Sequence, residues 1–461
     1  MTSLDKAERG QAAREISGRL ASELTETARL AAPIALTQLG QIAMMTTDLA
    51  FIGRFGDEAV AAAALAGTVY FVSFTVGMGL MSAVAPLAAQ AFGARDPRQV
   101  RRALRTGFWA ALLVTLPIMM FPLRGEAILL ALGQAPGPAH LAQTYLFGLA
   151  WGILPALWFI AIRGFMSAIN RPEPVLWITL AAIPANAGLV YLLMYGKLGL
   201  PRLEMFGVGL ATTLVNFGTF VAGLCFVTLR RPFRKYQVLG RVWRVDWALL
   251  GKLVVIGAPI AMSFLMEYGL FSAAALLMGR ISTAALAAHQ VALQVTAILF
   301  MVPFGISLAA TVRVGQAVGR HDADGVWHAG MAALWLGIAL AVALTLAVML
   351  GRFAIATLFF GEAADGAVAL TATLLLVGAT FFVTDGIQTI VVGALRGMND
   401  TRVPLLFAAV GYWVIGFSLA YYLGLWTSLG AIGVWIGLSC GTAVYAVLLI
   451  LRFRRLSGRL P

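Results

Sequence analysis

Between residues 29 and 451 the chain is a succession of apolar stretches, each about as long as a bilayer is thick. They run approximately 29–53, 59–85, 104–122, 143–165, 174–195 and 206–229, then 249–279, 285–311, 329–351, 368–395, 403–425 and 429–451. Of 461 residues, 61% are hydrophobic and only 11% charged, against roughly 25% charged in an ordinary globular chain, which excludes a water-soluble fold. The expected class is all-α integral membrane, with 12 transmembrane helices.

The basic residues test that count. With twelve crossings, the side holding both termini carries 27 of the 33 Lys and Arg and the other side 6. That asymmetry makes the termini cytoplasmic and accounts for the net charge of +13 without a nucleic-acid partner. Residues 1–28 carry five acids and lack the apolar core of a signal peptide. They read as a polar cytoplasmic helix with Ile16, Leu20 and Leu24 on one stripe. The densest basic run, Arg230, Arg231, Arg234, Lys235, Arg241, Arg244 and Lys252, lies at mid-chain and reads first as an orientation signal against anionic headgroups. Cys225 and Cys440 sit alone in apolar runs, so neither a disulfide framework nor a thiolate metal site is expected.

Shifted by 226 residues, 32–96 aligns with 258–322 without a gap, with 20 identities in 65 positions. Ala-Pro-Ile-Ala recurs at 32 and 258, Gly-Arg at 53 and 279, and Gln90, Gly93 and Asp96 meet Gln316, Gly319 and Asp322. Further on the offset is 229, and Gly164 and Asn170 meet Gly393 and Asn399. Two copies of a six-helix unit follow, each entering from the same side and related by a pseudo-twofold axis along the membrane normal. The boundaries are an N-lobe at 29–229, a basic cytoplasmic linker at 230–248, a C-lobe at 249–451 and a cytoplasmic tail at 452–461. Such symmetry serves a transporter with a central path more often than a channel.

Three of the 20 acids fall within apolar stretches, and each costs at least about 2.5 kcal/mol at mid-bilayer unless a partner, proton, ion or water neutralises it. Glu267 and Asp385 belong to the second copy, and their repeat mates are uncharged. They are candidates to share a proton or hold Na⁺, helped by oxygens of Thr384, Ser263 or Gln388; the bland reading is a polar clamp between helices. Asp48 lies in the first stretch, with Asn186 beyond Pro184 as its expected polar neighbour. Gln41 is the mate of Glu267, and Gln38 lies one turn before it. His289, beside Gln290, reads as a satisfied polar contact or a cavity group. Tyr70, Phe71, Phe74, Trp151, Trp158, Phe159, Phe271 and Trp413 are candidates for a pocket accepting flat cations, or for interface belts and packing. Gly433, Gly437 and Gly441 make a small-residue face, read as packing within the bundle before dimerisation. No phosphate loop, His-Glu-x-x-His motif or nucleophile elbow is present, so neither ATP-driven transport nor an enzyme is indicated.

Taken together, Gln38 to Asp48 and Gly53-Arg-Phe-Gly56, Gln90-Ala-Phe-Gly93, Glu267, and Asp385-Gly-Ile-Gln388 through Gly393 to Thr401 resemble the multidrug and toxic compound extrusion (MATE) transporters. The resemblance spans roughly 25–455, and the acidic pair in the second half points to the NorM-like branch. It implies a V-shaped pair of lobes in the inner membrane, a monomer, exporting cationic or aromatic drug-like compounds in exchange for H⁺ or Na⁺, with no other cofactor. By position, Glu267 and Asp385 match the family's cation-binding carboxylates, Asp48 its first-lobe coupling acid, and Asn186 the polar site beside that acid. Where NorM-like members can carry a tyrosine one turn before the tenth-helix acid, this chain has Phe381, which removes one Na⁺ ligand and favours the proton. The alternative, a lipid-linked glycan flippase of related fold, would need a strongly cationic cavity for pyrophosphate, and few arginines lie at mid-membrane.

Overall fold

Apolar side chains in hydrocarbon leave each backbone N–H and C=O to be satisfied within its own segment, so the long stretches become helices. The computed structural model describes residues 3–197, 199, 201–361 and 365–459, and side chains from Ser22 onward apart from that of Asp365. Side chains of Ile16 and Leu20 in the expected N-terminal stripe, and the last two residues of the tail, lie outside the described residues.

The first half contains α1 (Ser3–Ile52), α2 (Asp57–Met81), α3 (Val84–Gly93), α4 (Pro97–Leu123), α5 (Gly125–Ala131), α6 (Pro136–Ala150), α7 (Ile153–Ala168), α8 (Glu173–Tyr195) and α9 (Glu204–Leu229). The second contains α10 (Trp247–Ile281), α11 (Thr283–Gly319), α12 (Ala323–Phe360), α13 (Asp365–Gly397), α14 (Arg402–Ala408), a π-helical stretch (Ala409–Phe417), α15 (Ser418–Leu425) and α16 (Ala431–Ser457). Among the described residues ten helices are long and apolar enough to cross a membrane, or eleven when α6 and α7, bent by 48°, count as one. The remaining expected span, 29–53, is the end of the 50-residue α1. Thr37, Gln38, Gln41, Thr46, Thr47 and Asp48 make that segment less apolar than the rest, and the polar N-terminal helix runs into it without a break at 28.

The repeat is visible in the turns. Arg95 and His321 both adopt a left-handed backbone at φ 56°. Each is followed by an aspartate that caps the next helix: Asp96 accepts from the N–H of Arg98 at 2.9 Å, and Asp322 from that of Gly325 at 2.8 Å. Asn170 and Asn399 likewise end helices at φ 59° and 60°, conformations that asparagine tolerates better than most residues. The copies differ where their residues differ. The Ser82 hydroxyl donates to the Met78 carbonyl at 2.8 Å, at the break between α2 and α3. Its mate, Leu308, has no hydroxyl, and α11 runs unbroken.

The chain packs as two units, one of residues 1–35 and 269–461, the other of 36–268. This division is not at the linker used to bound the expected lobes. The two first helices of the repeats explain it, because their entry segments pack with opposite halves. A Cβ on Gly79 would sit 2.3 Å from the Cα of Ala261, and one on Gly305 would sit 2.7 Å from that of Ala35. Ala35 and Ala261 are repeat mates in the two Ala-Pro-Ile-Ala motifs, and Gly79 and Gly305 are mates as well. No residue larger than glycine fits either crossing. In α16, the Gly433, Gly437 and Gly441 face meets α15 and the π-helical stretch, with Cβ positions 2.4, 2.2 and 2.5 Å from Leu423 O, Ala420 N and Gly411 O.

Candidate functional site

Among the described residues each unit buries one carboxyl. In the unit of residues 36–268, Asp48 is 7% exposed on α1. The neighbouring hydroxyls of Thr46 and Thr47 donate to carbonyls of their own helix, at 3.0 and 2.8 Å, and leave Asp48 to bond across helices. Asn186 of α8, fully buried, donates its amide to one carboxylate oxygen at 2.5 Å, and Thr212 of α9 donates to the other at 3.0 Å. Pro184 removes one helical donor from α8 just before Asn186. The node rests against an apolar cluster that includes Tyr145, Val190, Leu193, Val208 and Ala211. Both bonded partners are neutral, so they orient the carboxylate without balancing its charge.

In the other unit Asp385 is 4% exposed on α13. Gln388, one turn along, donates to one of its oxygens at 2.9 Å. Asp385 also lines a small pocket with Thr296, Leu299 and Pro303 of α11 and Thr345 of α12, with room for about one water-sized guest. Two features add polarity. Pro303 has no N–H to give the Leu299 carbonyl, and the buried Thr345 hydroxyl has no hydrogen-bond partner among the described residues. One carboxylate with neutral oxygens suits a proton, a water or a monovalent cation. Among the described residues no cluster of three His, Cys, Asp or Glu could hold a metal ion of higher charge.

The remaining candidates are dispersed. Glu267 is half-buried on α10, in the unit that ends at Tyr268. The Ser263 hydroxyl donates to the Pro259 carbonyl at 2.9 Å, and that of Thr384 meets Thr442 at 2.8 Å and carbonyls of its own helix, so none of these bonds reaches a carboxylate. Gln38 accepts from Arg163 at 2.6 Å, and Gln41 is half-buried. Tyr70 stacks on Phe74 with centroids 5.6 Å apart, and Phe71 lies 4.7 Å from Tyr268, so one face of α2 gathers three of the aromatic candidates. Trp158 and Phe159 pack between helices: the Trp158 indole N–H donates to the Phe108 carbonyl at 3.0 Å, and Phe159 abuts Gly223. Phe271 packs edge-on against Phe381, itself fully buried against Trp435. His289 is 0% exposed with its ring edge-on to Trp435, and no hydrogen-bond partner of its ring nitrogens is among the described residues, while Gln290 is exposed. The satisfied polar contact expected for His289 is not what its surroundings provide.

Sequence reasoning missed Thr212, Thr345 and Arg163. Thr212 and Thr345 are single hydroxyls among many threonines in apolar helices. Arg163 is legible in the sequence as a charge inside the 143–165 stretch, close enough to its end to count with the cytoplasmic basic residues.

A polytopic helical bundle with a carboxyl buried in each unit beside neutral partners defines an integral membrane protein of the kind that includes transporters. The MatE family profile matches residues 33–192 and 259–422. A protein named "Probable multidrug resistance protein NorM" from Bradyrhizobium diazoefficiens is 65% identical over 443 residues, 96% of this chain and 95% of that protein. One of the same name from Rhodopseudomonas palustris is 57% identical, covering 95% and 92%. Among solved structures, the eukaryotic MATE transporter AtDTX14 shares the fold at TM-score 0.85 and 20% identity, covering 96% of this chain and all of that one. An outward-facing multidrug resistance MATE family transporter matches at 0.86 and 20%, covering 95% and 96%. The chain belongs to the MATE family of transporters, in its NorM-like branch, and is not an enzyme.

Proposed function

We propose that this chain is a secondary active antiporter of the bacterial inner membrane, exporting cationic and aromatic amphiphiles against an inward flow of protons. The observation that carries the reading is the Asp385 pocket. Its space suits a coupling ion or a water, and among the described residues its only ionisable lining group is the Asp385 carboxylate. A negative charge there is neutralised when occupied and exposed when empty, and that alternation biases the bundle between two states if the states differ in their access to the ion. Drug contact is assigned to Tyr70, Phe71 and Phe74 on α2, whose rings suit stacking and cation–π attraction. Glu267, Asp48 and Asn186 complete the coupling groups, with Gln388 orienting Asp385.

The preference for H⁺ over Na⁺ rests on Phe381. One turn before Asp385 it supplies hydrocarbon packed on Phe271, Phe382 and Trp435, and no oxygen. Na⁺ would take its oxygens from Asp385 and neutral groups such as Thr345. The test is purified protein in vesicles loaded with a cationic dye. A pH gradient imposed alone is expected to drive dye movement, and a Na⁺ gradient alone is not. Drive by Na⁺ alone would overturn proton coupling, and movement unaffected by either gradient would overturn antiport.

A further inference from the structure

The linker between the halves contains six cations in residues 230–246 and one acid, Asp246. As an orientation signal alone it could be a loose loop, yet it folds onto the bundle. Phe233, Tyr236 and Val238 are buried, and Phe165 of α7 receives the first two, with centroids 6.4 and 5.5 Å away. The Trp109 indole N–H of α4 bonds the Val242 carbonyl at 2.7 Å, and Arg105 bonds that of Arg241 at 3.2 Å. Arg102 pairs with Asp246 at 2.5 Å and thereby uses the one acid the linker offers.

What remains is cationic and unbalanced. Arg101 and Arg105 each bury a guanidinium Nε with no partner among the described residues, and Arg101 lies beside Gly240. The Arg241 and Arg244 side chains are exposed around them. Beside this cluster stand Trp243 and Trp247, 72% and 70% exposed. Exposed indoles next to arginines at the ends of membrane helices fit the headgroup region, where an amphipathic ring sits between hydrocarbon and water. A free anion in solution would explain the arginines and leave the indoles unexplained.

We propose that Arg101, Arg105, Arg241 and Arg244, flanked by Trp243 and Trp247, form a binding site for the phosphodiester of an anionic phospholipid. The site is preorganised, since the linker backbone is already bonded to α4 before a lipid arrives. Guanidinium groups match the phosphate by paired N–H donors, and the indoles take the adjoining glycerol and upper acyl chain. The site is independent of the ion pathway, and its occupancy is read without transport.

The test uses the full chain in detergent, titrated with phosphatidylglycerol or phosphatidylcholine, with retained lipid counted by native mass spectrometry and melting followed in parallel. Phosphatidylglycerol is expected to be retained in preference and to raise the melting temperature. Arg241→Gln and Arg244→Gln, both at exposed side chains, should each weaken retention about fivefold, and Arg101→Gln comparably. Trp243→Phe with Trp247→Phe should weaken it less and leave the headgroup preference intact. Equal retention of both lipids, or unchanged preference in the arginine variants, would overturn the proposal. Full stabilisation by glycerol phosphate or inorganic phosphate at matched concentration would do so too, by making the ligand a soluble anion.

Discussion

Asp48 and Asp385 are both nearly inaccessible, yet they are held in different ways. Asp48 has each oxygen occupied, by Asn186 and Thr212 from two other helices, so its geometry is fixed by side chains that would have to part before it could turn. Asp385 has one observed partner, Gln388 on its own helix, and faces a pocket big enough for a single small guest. The first ties α1, α8 and α9 together by hydrogen bonds, and under the proposed function the second receives the coupling ion. Placing an acid in each unit therefore does not make the units equivalent, and in both cases the repeat mate is alanine.

The contrast is broken most directly by neutralising each acid. Asp385→Asn keeps the shape and Gln388 as neighbour but removes the titrating group, and gradient-driven dye efflux should fall to that of protein-free vesicles while the protein stays folded. Retained coupling would remove Asp385 from the ion-receiving role. At the other acid the tie between three helices puts the larger effect in stability. Asn186→Ala removes a bond to a charged oxygen and should cost about 1–2 kcal/mol in unfolding from detergent. In the double variant with Asp48→Asn the two costs should not add, because the variants share one bond. Strict additivity would mean the 2.5 Å contact contributes nothing.

A smaller and more selective effect is expected at Thr345. Its hydroxyl is buried without a partner among the described residues, so Thr345→Val should leave the melting temperature unchanged or raised. Thr212→Val, which takes a donor from Asp48, should lower it. If Thr345 serves the guest, the valine variant needs a several-fold steeper ion gradient for the same efflux. Equal ion dependence in wild type and variant would confine the pocket to Asp385 alone.

The sequence displayed the acids, the repeat and the Asp48–Asn186 pairing because each rests on a rare residue type. An aspartate in an apolar run, an asparagine two residues after proline, and aspartates and asparagines recurring at turns all stand out from a hydrocarbon background. The aromatic candidates were harder to sort. Trp158, Phe159 and Phe271 have the composition of a drug pocket, and the structure adds that each also packs against a neighbouring helix. The reciprocal packing of α1 and α10 was also hidden, since two glycines opposite two alanines look like ordinary small residues until their separation is known. Thr345 carries no signal of its own, and its interest comes wholly from what surrounds it.

The smallest expected effect lies at the surface ion pair that anchors the linker. Burial works to raise the Asp246 carboxyl, but its hydrogen bonds from Arg102 and the Leu249 N–H, with the charges of Arg102 and Arg105, outweigh that and hold its pKa below the ordinary carboxylate value. A carboxyl depressed in the folded state stabilises fully above its unfolded pKa of about 3.9, and that contribution is lost as the pH falls below this value through the folded one. Because Arg102 is half exposed, solvent screening limits the pair to about 1 kcal/mol or less. Asp246→Asn should thus lower stability slightly at pH 7, and the gap to wild type should close as the pH is taken below 4. A gap that persists unchanged at low pH would assign the loss to packing and not to the carboxylate charge, because an asparagine oxygen still accepts the helix-capping bond from the Leu249 N–H.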